Sequence, residues 1–232
     1  MNLSITYNAP FVQEHYNKKY SNYHMLPGFD WEKRKVEVVF GFLFKQAGIV
    51  PGEKYFIDLG CGIGTKTYIL SKYFRYSKGL DFSPHAIQIA RLLNDNPELM
   101  FEEADIRQSS FEIRYDVVTA LGLSILNVSS IDTLVSEITL ITDNFMKRSG
   151  MLIINSFTDF SGTAPTGWYC HTRKELKQLK RVLKENGFKA TIIFPHRHAS
   201  FYVHLGVAAL VEWMRLIISR RRQYYLIVRR NA

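Results

Sequence analysis

Tyr55-Phe56-Ile57-Asp58-Leu59-Gly60-Cys61-Gly62-Ile63-Gly64-Thr65 is the stretch of this 232-residue chain that decides its fold. Residues 55–59 are mostly apolar and predict a buried strand, and the alternating glycines predict a tight turn into a helix. A turn without β-carbons lets a ligand lie against the backbone, and the helix N-terminus offers unpaired N–H groups to a negative group. The stretch therefore predicts a nucleotide-like ligand at the carboxyl end of the strand, with an empty glycine-rich turn as the alternative.

Short apolar runs alternate with helical patterns along the chain, which is typical of βαβ units around a mostly parallel sheet. The predicted strands are Tyr55–Leu59, Lys78–Asp81, Leu99–Glu103, Tyr115–Leu121, Gly150–Asn155, Phe188–Phe194 and Gln223–Arg229. The predicted helices are Trp31–Ala47, Ile63–Phe74, Pro84–Asn94, Ile131–Phe145, Arg173–Asn186 and Ser200–Arg220. We expect an α/β fold with an N-terminal helical cap or lid over residues 1–48. The core would follow over 49–232, with a helical insertion over 195–222 before the last strand.

Acidic residues after the loop are candidates for holding a nucleoside. Asp81 ends the second predicted strand, 17 residues after Gly64, where it could accept hydrogen bonds from both hydroxyls of a ribose. The alternative is that Asp81 or Ser83 caps the next helix. Asp105 follows the third strand and could bind an exocyclic amine while Ile106 packs on a purine, although Asp105 could equally be a surface acid.

The glycine spacing separates two classes of ligand. Dinucleotide folds use G-x-G-x-x-G around a pyrophosphate, whereas the glycines here fall at 60, 62 and 64. Asp58 lies two places before the first glycine, and a buried carboxylate would repel a pyrophosphate. The spacing therefore favours a ligand that carries a positive charge.

Three motifs carry a family resemblance: Asp58-Leu59-Gly60-Cys61-Gly62-Ile63-Gly64, Leu80-Asp81-Phe82-Ser83 and Ala104-Asp105-Ile106. Together they resemble the class I, Rossmann-like S-adenosylmethionine-dependent methyltransferases, and the match covers about residues 50–195 plus the last strand. The resemblance implies a three-layer, doubly wound sheet of seven mostly parallel strands with an antiparallel last strand. It also implies an enzyme that moves a methyl group from S-adenosylmethionine to an O or N atom of a small molecule, such as a sugar or a lipid-linked metabolite. S-adenosylhomocysteine would be the product.

The same resemblance implies roles for individual residues. Asp58, Gly60, Cys61, Gly62 and Gly64 would form the loop around the methionine part of the cofactor. Asp81 would hold its ribose beside Phe82, Asp105 and Ile106 would contact adenine, and Leu121 would border the methyl group. Tyr16 and Tyr20 share one predicted helical face and would close over the cofactor, although the hydrophobic side of a first helix is the alternative.

Methyl transfer is a displacement that depends on alignment and on excluding water, so no covalent catalytic residue is expected. If the acceptor is a hydroxyl, a histidine base would help near neutral pH. His24, in the predicted lid, and His171, after the fifth strand, are the candidate catalytic residues, with a solvated or structural histidine as the alternative for each.

The loop after the fourth strand, Gly122-Leu123-Ser124-Ile125-Leu126-Asn127, would face the acceptor. It lacks the Asn/Asp-Pro-Pro-Tyr/Phe motif of many methyltransferases that act on exocyclic amines of DNA, RNA and proteins. The absence favours a free small molecule. An RNA or protein methyltransferase and a non-catalytic cofactor-binding partner subunit remain alternative functions.

Charge and composition set limits on partners. The chain has 30 Lys+Arg against 21 Asp+Glu, and this net charge of +9 favours anionic partners. Cys61 and Cys170 lie in no disulfide or zinc spacing, so no metal is predicted and the cytoplasm is the expected compartment. The N-terminal residues show no signal-peptide pattern.

The segment 199–222 is basic and amphipathic and ends in Arg220-Arg221-Arg222. It could pack over the acceptor site or against a second subunit in a homodimer, or it could make peripheral contact with a membrane. Nucleic acid is not favoured as a partner, because no surface aromatics are interleaved with the basic residues.

Overall fold

A computed structural model describes residues 29–94, 96–109, 112–160, 167–197 and 221–231, together with positions 14, 207, 210, 211, 214 and 218. Tyr16, Tyr20 and His24 lie outside the described residues, so their predicted roles stay predictions. The same holds for most of the insertion predicted over 195–222.

The described residues form a seven-stranded sheet in the order β3-β2-β1-β4-β5-β7-β6. In chain order, β1 to β7 are Gly52–Leu59, Phe74–Asp81, Leu99–Glu103, Tyr115–Leu121, Met146–Asp159, Phe188–Ile193 and Arg221–Arg230. The helices α1 to α5 are Phe29–Ala47, Thr65–Ser71, Pro84–Leu93, Ile131–Phe145 and Arg173–Glu185. Strands β1 to β5 pair in parallel, and β7 pairs antiparallel with β5 and β6. The predicted sheet with an antiparallel last strand is confirmed.

Helices cover both faces of the sheet, because successive residues of each central strand point to opposite sides. Phe56 and Val117 belong to one hydrophobic cluster, with residues of α1 and α2. Their neighbours Ile57 and Val118 belong to another, with residues of α4 and α5. This arrangement gives the three layers that the sequence predicts.

Helix α1 forms part of the layer on the first face of the sheet. Its buried side chains include Phe40 and Phe44, whose rings meet Tyr225 of β7 and Phe74 of β2 at centroid distances of 6.1 and 5.7 Å. Residues 29–47 of the predicted cap therefore share the hydrophobic core of the sheet. This position makes α1 a rigid wall for whatever binds beside it.

Several elements differ in length from their prediction, and two of these differences have a clear structural reason. The predicted helix Ile63–Phe74 ends at Ser71, because Phe74 begins β2 and stacks on Phe56 at 4.9 Å. The fifth strand continues past Asn155 to Asp159, although three of these four residues are polar, because it stays paired with β7 as far as Arg221. The apolar run alone could not indicate this extension.

Five described residues between 207 and 218 are helical, apolar and exposed: Val207, Leu210, Val211, Met214 and Ile218. Their spacing of three, one, three and four residues places them on one helical face. Among the residues that the structure describes, no helix has both the length and the apolar character needed to cross a bilayer.

Candidate active site

The loop after β1 has a backbone that only glycine adopts readily. Gly60, Gly62 and Gly64 have φ angles of 73°, 56° and 78°, in the left-handed region. A β-carbon on Gly60 would lie 2.7 Å from Leu123 Cδ1, and one on Gly64 would lie 2.5 Å from the ring of Phe101. Conformation and close packing therefore both require glycine at these two positions.

Asp81 joins the end of β2 to the glycine loop. Its buried carboxylate accepts hydrogen bonds from the Gly62 N–H and the Ser83 N–H, each at 2.9 Å. The side chain of Ser83 accepts from the N–H of Ala86 and caps α3. Of the two alternatives for a cap, Ser83 therefore fills this role, and Asp81 faces the loop.

Asp58 lies behind the loop in the core. Its two carboxylate oxygens accept hydrogen bonds from the hydroxyls of Thr67 in α2, at 2.6 Å, and Thr119 in β4, at 2.7 Å. Burial raises the pKa of Asp58, and this effect outweighs the two hydroxyl groups and Lys66, which lower it. Asp58 thus connects three elements beneath the glycine turn.

The remaining predicted cofactor residues lie around the ends of β1, β2 and β3. Burial raises the pKa of the Cys61 thiol well above its ordinary value, so this side chain is a neutral thiol in the loop. Ala104 N–H bonds the carbonyl oxygen of Asp81 at 2.9 Å, which brings Asp105 and the buried Ile106 next to that strand end. The structure therefore gathers the predicted nucleoside residues at one edge of the sheet, together with the half-buried Phe82.

A cleft of about 350 Å³, including the solvent at its mouth, opens beside this edge between α1, the carboxyl end of β4 and Asn155 of β5. Its lining consists of Glu32, Lys35, Val36, Val39, Phe40, Lys66, Leu121, Asn155, Gln223 and Tyr225. Lys66 is the second residue of α2, directly after the glycine loop, and Leu121 is the last residue of β4. The cleft therefore adjoins the loop, and Leu121 is the predicted site residue that reaches it.

Five charged or amide residues of the cleft were not predicted as site residues: Glu32, Lys35, Lys66, Asn155 and Gln223. Asn155 ends the predicted fifth strand, and its place at a carboxyl strand end is a signal that could have identified it. Lys35 and Gln223 come from α1 and β7, which only the tertiary structure brings together.

His171 lies on the opposite side of the sheet from the cleft. Its ring is 1% exposed, and its Nδ1 lies 3.3 Å from the hydroxyl of Tyr224. Tyr224 points toward the α5 side of β7, whereas the next residue, Tyr225, lines the cleft. The structure therefore does not bring His171 to the cleft as a base.

The main influence on the ionisation of His171 is its burial. Burial lowers the pKa of its imidazole, although Glu175 and the backbone carbonyl of Val128 act to raise it. Among the described residues, none forms a hydrogen bond with its Nε2. The ring is therefore a neutral group that packs between Tyr169 and Tyr224.

Comparison with known proteins adds to this geometry. Residues 56–143 match a family described as "Methyltransferase domain". No curated protein sequence matches the chain.

Several solved structures share the fold. A complex of DhpI with S-adenosylhomocysteine aligns with a TM-score of 0.61 at 16% identity, over 94% of this chain and 95% of that one. Magnesium protoporphyrin IX methyltransferase from Synechocystis PCC 6803, with bound S-adenosylmethionine, aligns with a TM-score of 0.58 at 17% identity, over 97% and 100%. Geranyl diphosphate C-methyltransferase from Streptomyces coelicolor A3(2) aligns with a TM-score of 0.61 at 15% identity, over 96% and 100%. The chain therefore contains a match to a methyltransferase domain over residues 56–143, and its fold is similar to that of solved S-adenosylmethionine-dependent methyltransferases.

Proposed function

We propose that this chain transfers a methyl group from S-adenosylmethionine to a small molecule bound in the cleft beside Leu121. One observation carries the proposal: the Gly62 N–H bonds Asp81 at 2.9 Å, so the loop and the strand-end carboxylate form a single unit. That unit adjoins the cleft through Lys66. A cofactor held by the loop would present its methyl group at the cleft.

The predicted cofactor residues have the chemistry for this ligand. A carboxylate oxygen can accept more than one hydrogen bond, so the bonds from Gly62 and Ser83 to Asp81 are compatible with further bonds from ribose hydroxyls. Asp105 and Ile106 offer a hydrogen-bond acceptor and an apolar surface to adenine.

The walls of the cleft and two structural neighbours favour a small acceptor. Two structural neighbours are named for small-molecule acceptors, magnesium protoporphyrin IX and geranyl diphosphate. The reaction needs the nucleophile, the methyl carbon and the sulfur in line, and a walled cleft restricts the acceptor to such an orientation.

Calorimetry and a methyl-transfer assay test the proposal. We expect the purified chain to bind S-adenosylmethionine and S-adenosylhomocysteine, and to transfer labelled methyl to small acceptors. Binding of nicotinamide or flavin nucleotides without binding of either sulfur nucleoside would contradict it. Cofactor binding with transfer only to RNA or protein would move the function to the macromolecular alternative.

We also propose that segment 199–222 contacts an anionic membrane surface. Support comes from the exposed apolar face formed by Val207, Leu210, Val211, Met214 and Ile218. The same segment contains Arg215 and the run Arg220-Arg221-Arg222, which complement anionic headgroups.

Co-sedimentation with lipid vesicles tests this contact. We expect binding to vesicles that contain phosphatidylserine, weaker binding to pure phosphatidylcholine, and a loss of binding in the Val207→Asp/Ile218→Asp variant. The other outcome is that the chain binds neither kind of vesicle but forms a dimer, and that the double variant dissociates this dimer. In that case the apolar face binds a second copy of the chain instead of a membrane.

A further inference from the structure

Asn155 lies in the middle of a row of cleft residues that crosses three strands. Its Cα pairs with Leu121 on β4 and with Tyr225 on β7. All three residues line the cleft, and Asn155 is half-buried there. If the methyl group of the cofactor lies at Leu121, as the proposed function has it, Asn155 is the nearest polar side chain along the row.

The orientation of the Asn155 amide follows from its hydrogen bond. Its Nδ2 donates to the backbone carbonyl of Tyr224 at 3.2 Å. A carbonyl oxygen only accepts, so the contacting atom is the NH₂ group and the amide oxygen lies on the other side of Cγ. No described residue donates a hydrogen bond to this oxygen. The strand therefore holds a fixed hydrogen-bond acceptor in the cleft.

We propose that the Asn155 oxygen accepts a hydrogen bond from the hydroxyl or amine that receives the methyl group. This inference rests on the proposed function and names the residue that touches the nucleophile. When the Asn155 oxygen accepts the hydrogen of an O–H or N–H group, the lone pair of that group points away from Asn155. The lone pair can then face the methyl carbon. A thiol gains little from such a contact because it is a weak hydrogen-bond donor, and a carbon nucleophile also gains little.

The reaction balances without a protein base. The bond between sulfur and the methyl carbon breaks and its electron pair stays on sulfur, while the oxygen or nitrogen lone pair forms the new bond to carbon. The proton of the hydroxyl or amine passes to solvent water. Asn155 orients this group and does not take up the proton, since an amide oxygen is not basic near neutral pH.

The rest of the cleft indicates the kind of molecule that carries this group. Val36, Val39 and Phe40 form an apolar wall on α1, and the two lysines Lys35 and Lys66 form no ion pair with a described residue. An anionic group on the acceptor would find a cationic partner there, although Glu32 lies in the same lining. The geometry points to a hydroxyl- or amine-bearing molecule with an apolar body and an anionic group.

The proposal is tested with two probes, 4-hydroxyphenylacetate and phenylacetate, which differ only in a hydroxyl group. Their affinities are measured by NMR titration of the full chain saturated with S-adenosylhomocysteine. We expect the hydroxylated probe to bind at least five-fold more tightly to the wild type. In Asn155→Leu this preference should fall to about one, with the affinity for S-adenosylhomocysteine unchanged.

Gln223→Leu is the matched control, because it removes another amide from the same cleft and should retain the preference. Asn155→Ala removes the same oxygen and adds no hydroxyl that could replace it as an acceptor, and is expected to lose the preference even if Asn155→Leu fails to fold. A wild type that does not distinguish the probes, or a preference that survives in both Asn155 variants, would overturn the inference. Failure of the wild type to bind S-adenosylhomocysteine would instead overturn the proposed function.

Discussion

The backbone N–H of Gly62 and the Oδ2 atom of Asp81 are joined by a hydrogen bond of 2.9 Å. This bond ties the end of β2 to the middle of the glycine loop, 19 residues away in the sequence. The carboxylate therefore has a role in the protein itself, since it sets the shape of the loop, in addition to the role proposed for it toward a ribose.

Asp81→Ala is expected to weaken the binding of S-adenosylmethionine by about 1–3 kcal/mol, because charge-assisted hydrogen bonds to the ribose are lost. This corresponds to a rise in Kd of roughly 5- to 150-fold in a calorimetric titration. Glu103→Ala is the matched control, since Glu103 is the exposed Cα partner of Asp81 on β3. Equal affinity in the wild type and Asp81→Ala would remove the ribose assignment.

Gly64→Ala is expected to destabilise the fold more than Gly122→Ala. The two glycines have nearly the same φ, 78° and 77°, so alanine costs about 1–2 kcal/mol at either position for the left-handed conformation. Only at Gly64 does the new β-carbon meet the ring of Phe101, at 2.5 Å, which adds roughly 1–3 kcal/mol of overpacking.

Denaturation in guanidinium chloride measures both free energies of unfolding. Since Gly122 has no atom within 4 Å of a new β-carbon, its variant isolates the conformational cost. Equal losses in the two variants would show that Phe101 moves aside without cost.

Thr119→Val is expected to lower the free energy of unfolding by about 1–3 kcal/mol, because it removes a hydrogen bond to the buried carboxylate of Asp58. Valine keeps the shape and the strand propensity of threonine, so the loss reports the hydroxyl group. Thr191→Val, at an exposed position of β6, is the control and should change stability little. A neutral Thr119→Val would mean that solvent reaches Asp58.

The contribution of His171 to stability is expected to depend on pH. Burial lowers the pKa of the folded imidazole below its ordinary 6.5, so the unfolded chain takes up the proton first as the pH falls. The groups that face the ring are Glu175, Tyr169, Tyr224 and the carbonyl of Val128. The stabilisation is therefore complete above about pH 6.5 and is lost as the pH falls through the folded pKa.

Free energies of unfolding of the wild type and His171→Gln, measured between pH 5 and pH 8, test this dependence. The difference between them should shrink below about pH 6.5. If the difference in free energy of unfolding between the wild type and His171→Gln grows as the pH falls, the pKa of His171 is raised and not lowered by folding. That result would contradict a neutral, buried His171.

Local sequence was enough to predict the sheet and the loop. The strands Leu99–Glu103 and Tyr115–Leu121 have the predicted bounds, because each is an apolar run between polar turns. The glycine positions and Asp81 could also be predicted, since both follow directly from strand ends.

The cleft could not be predicted in the same way, because its walls come from distant parts of the chain. Lys35 and Gln223 lie nearly 190 residues apart and meet only when α1 packs beside β7. The placement of His171 depends on Tyr224, which lies on the α5 side of β7, whereas Tyr225 lines the cleft on the other side. No local sequence pattern near His171 indicates which tyrosine lies on which side.

The place of β7 in the sheet has a consequence for synthesis on the ribosome. This strand is the last of the seven to be translated, yet it lies between β5 and β6 and provides the neighbour to which β6 pairs. Until residues 221–230 leave the exit tunnel, β6 has no partner strand in the nascent chain, and Gln223 and Tyr225 cannot yet close the cleft. Completion of the sheet on the side of β6 therefore has to await the synthesis of residues 221–230.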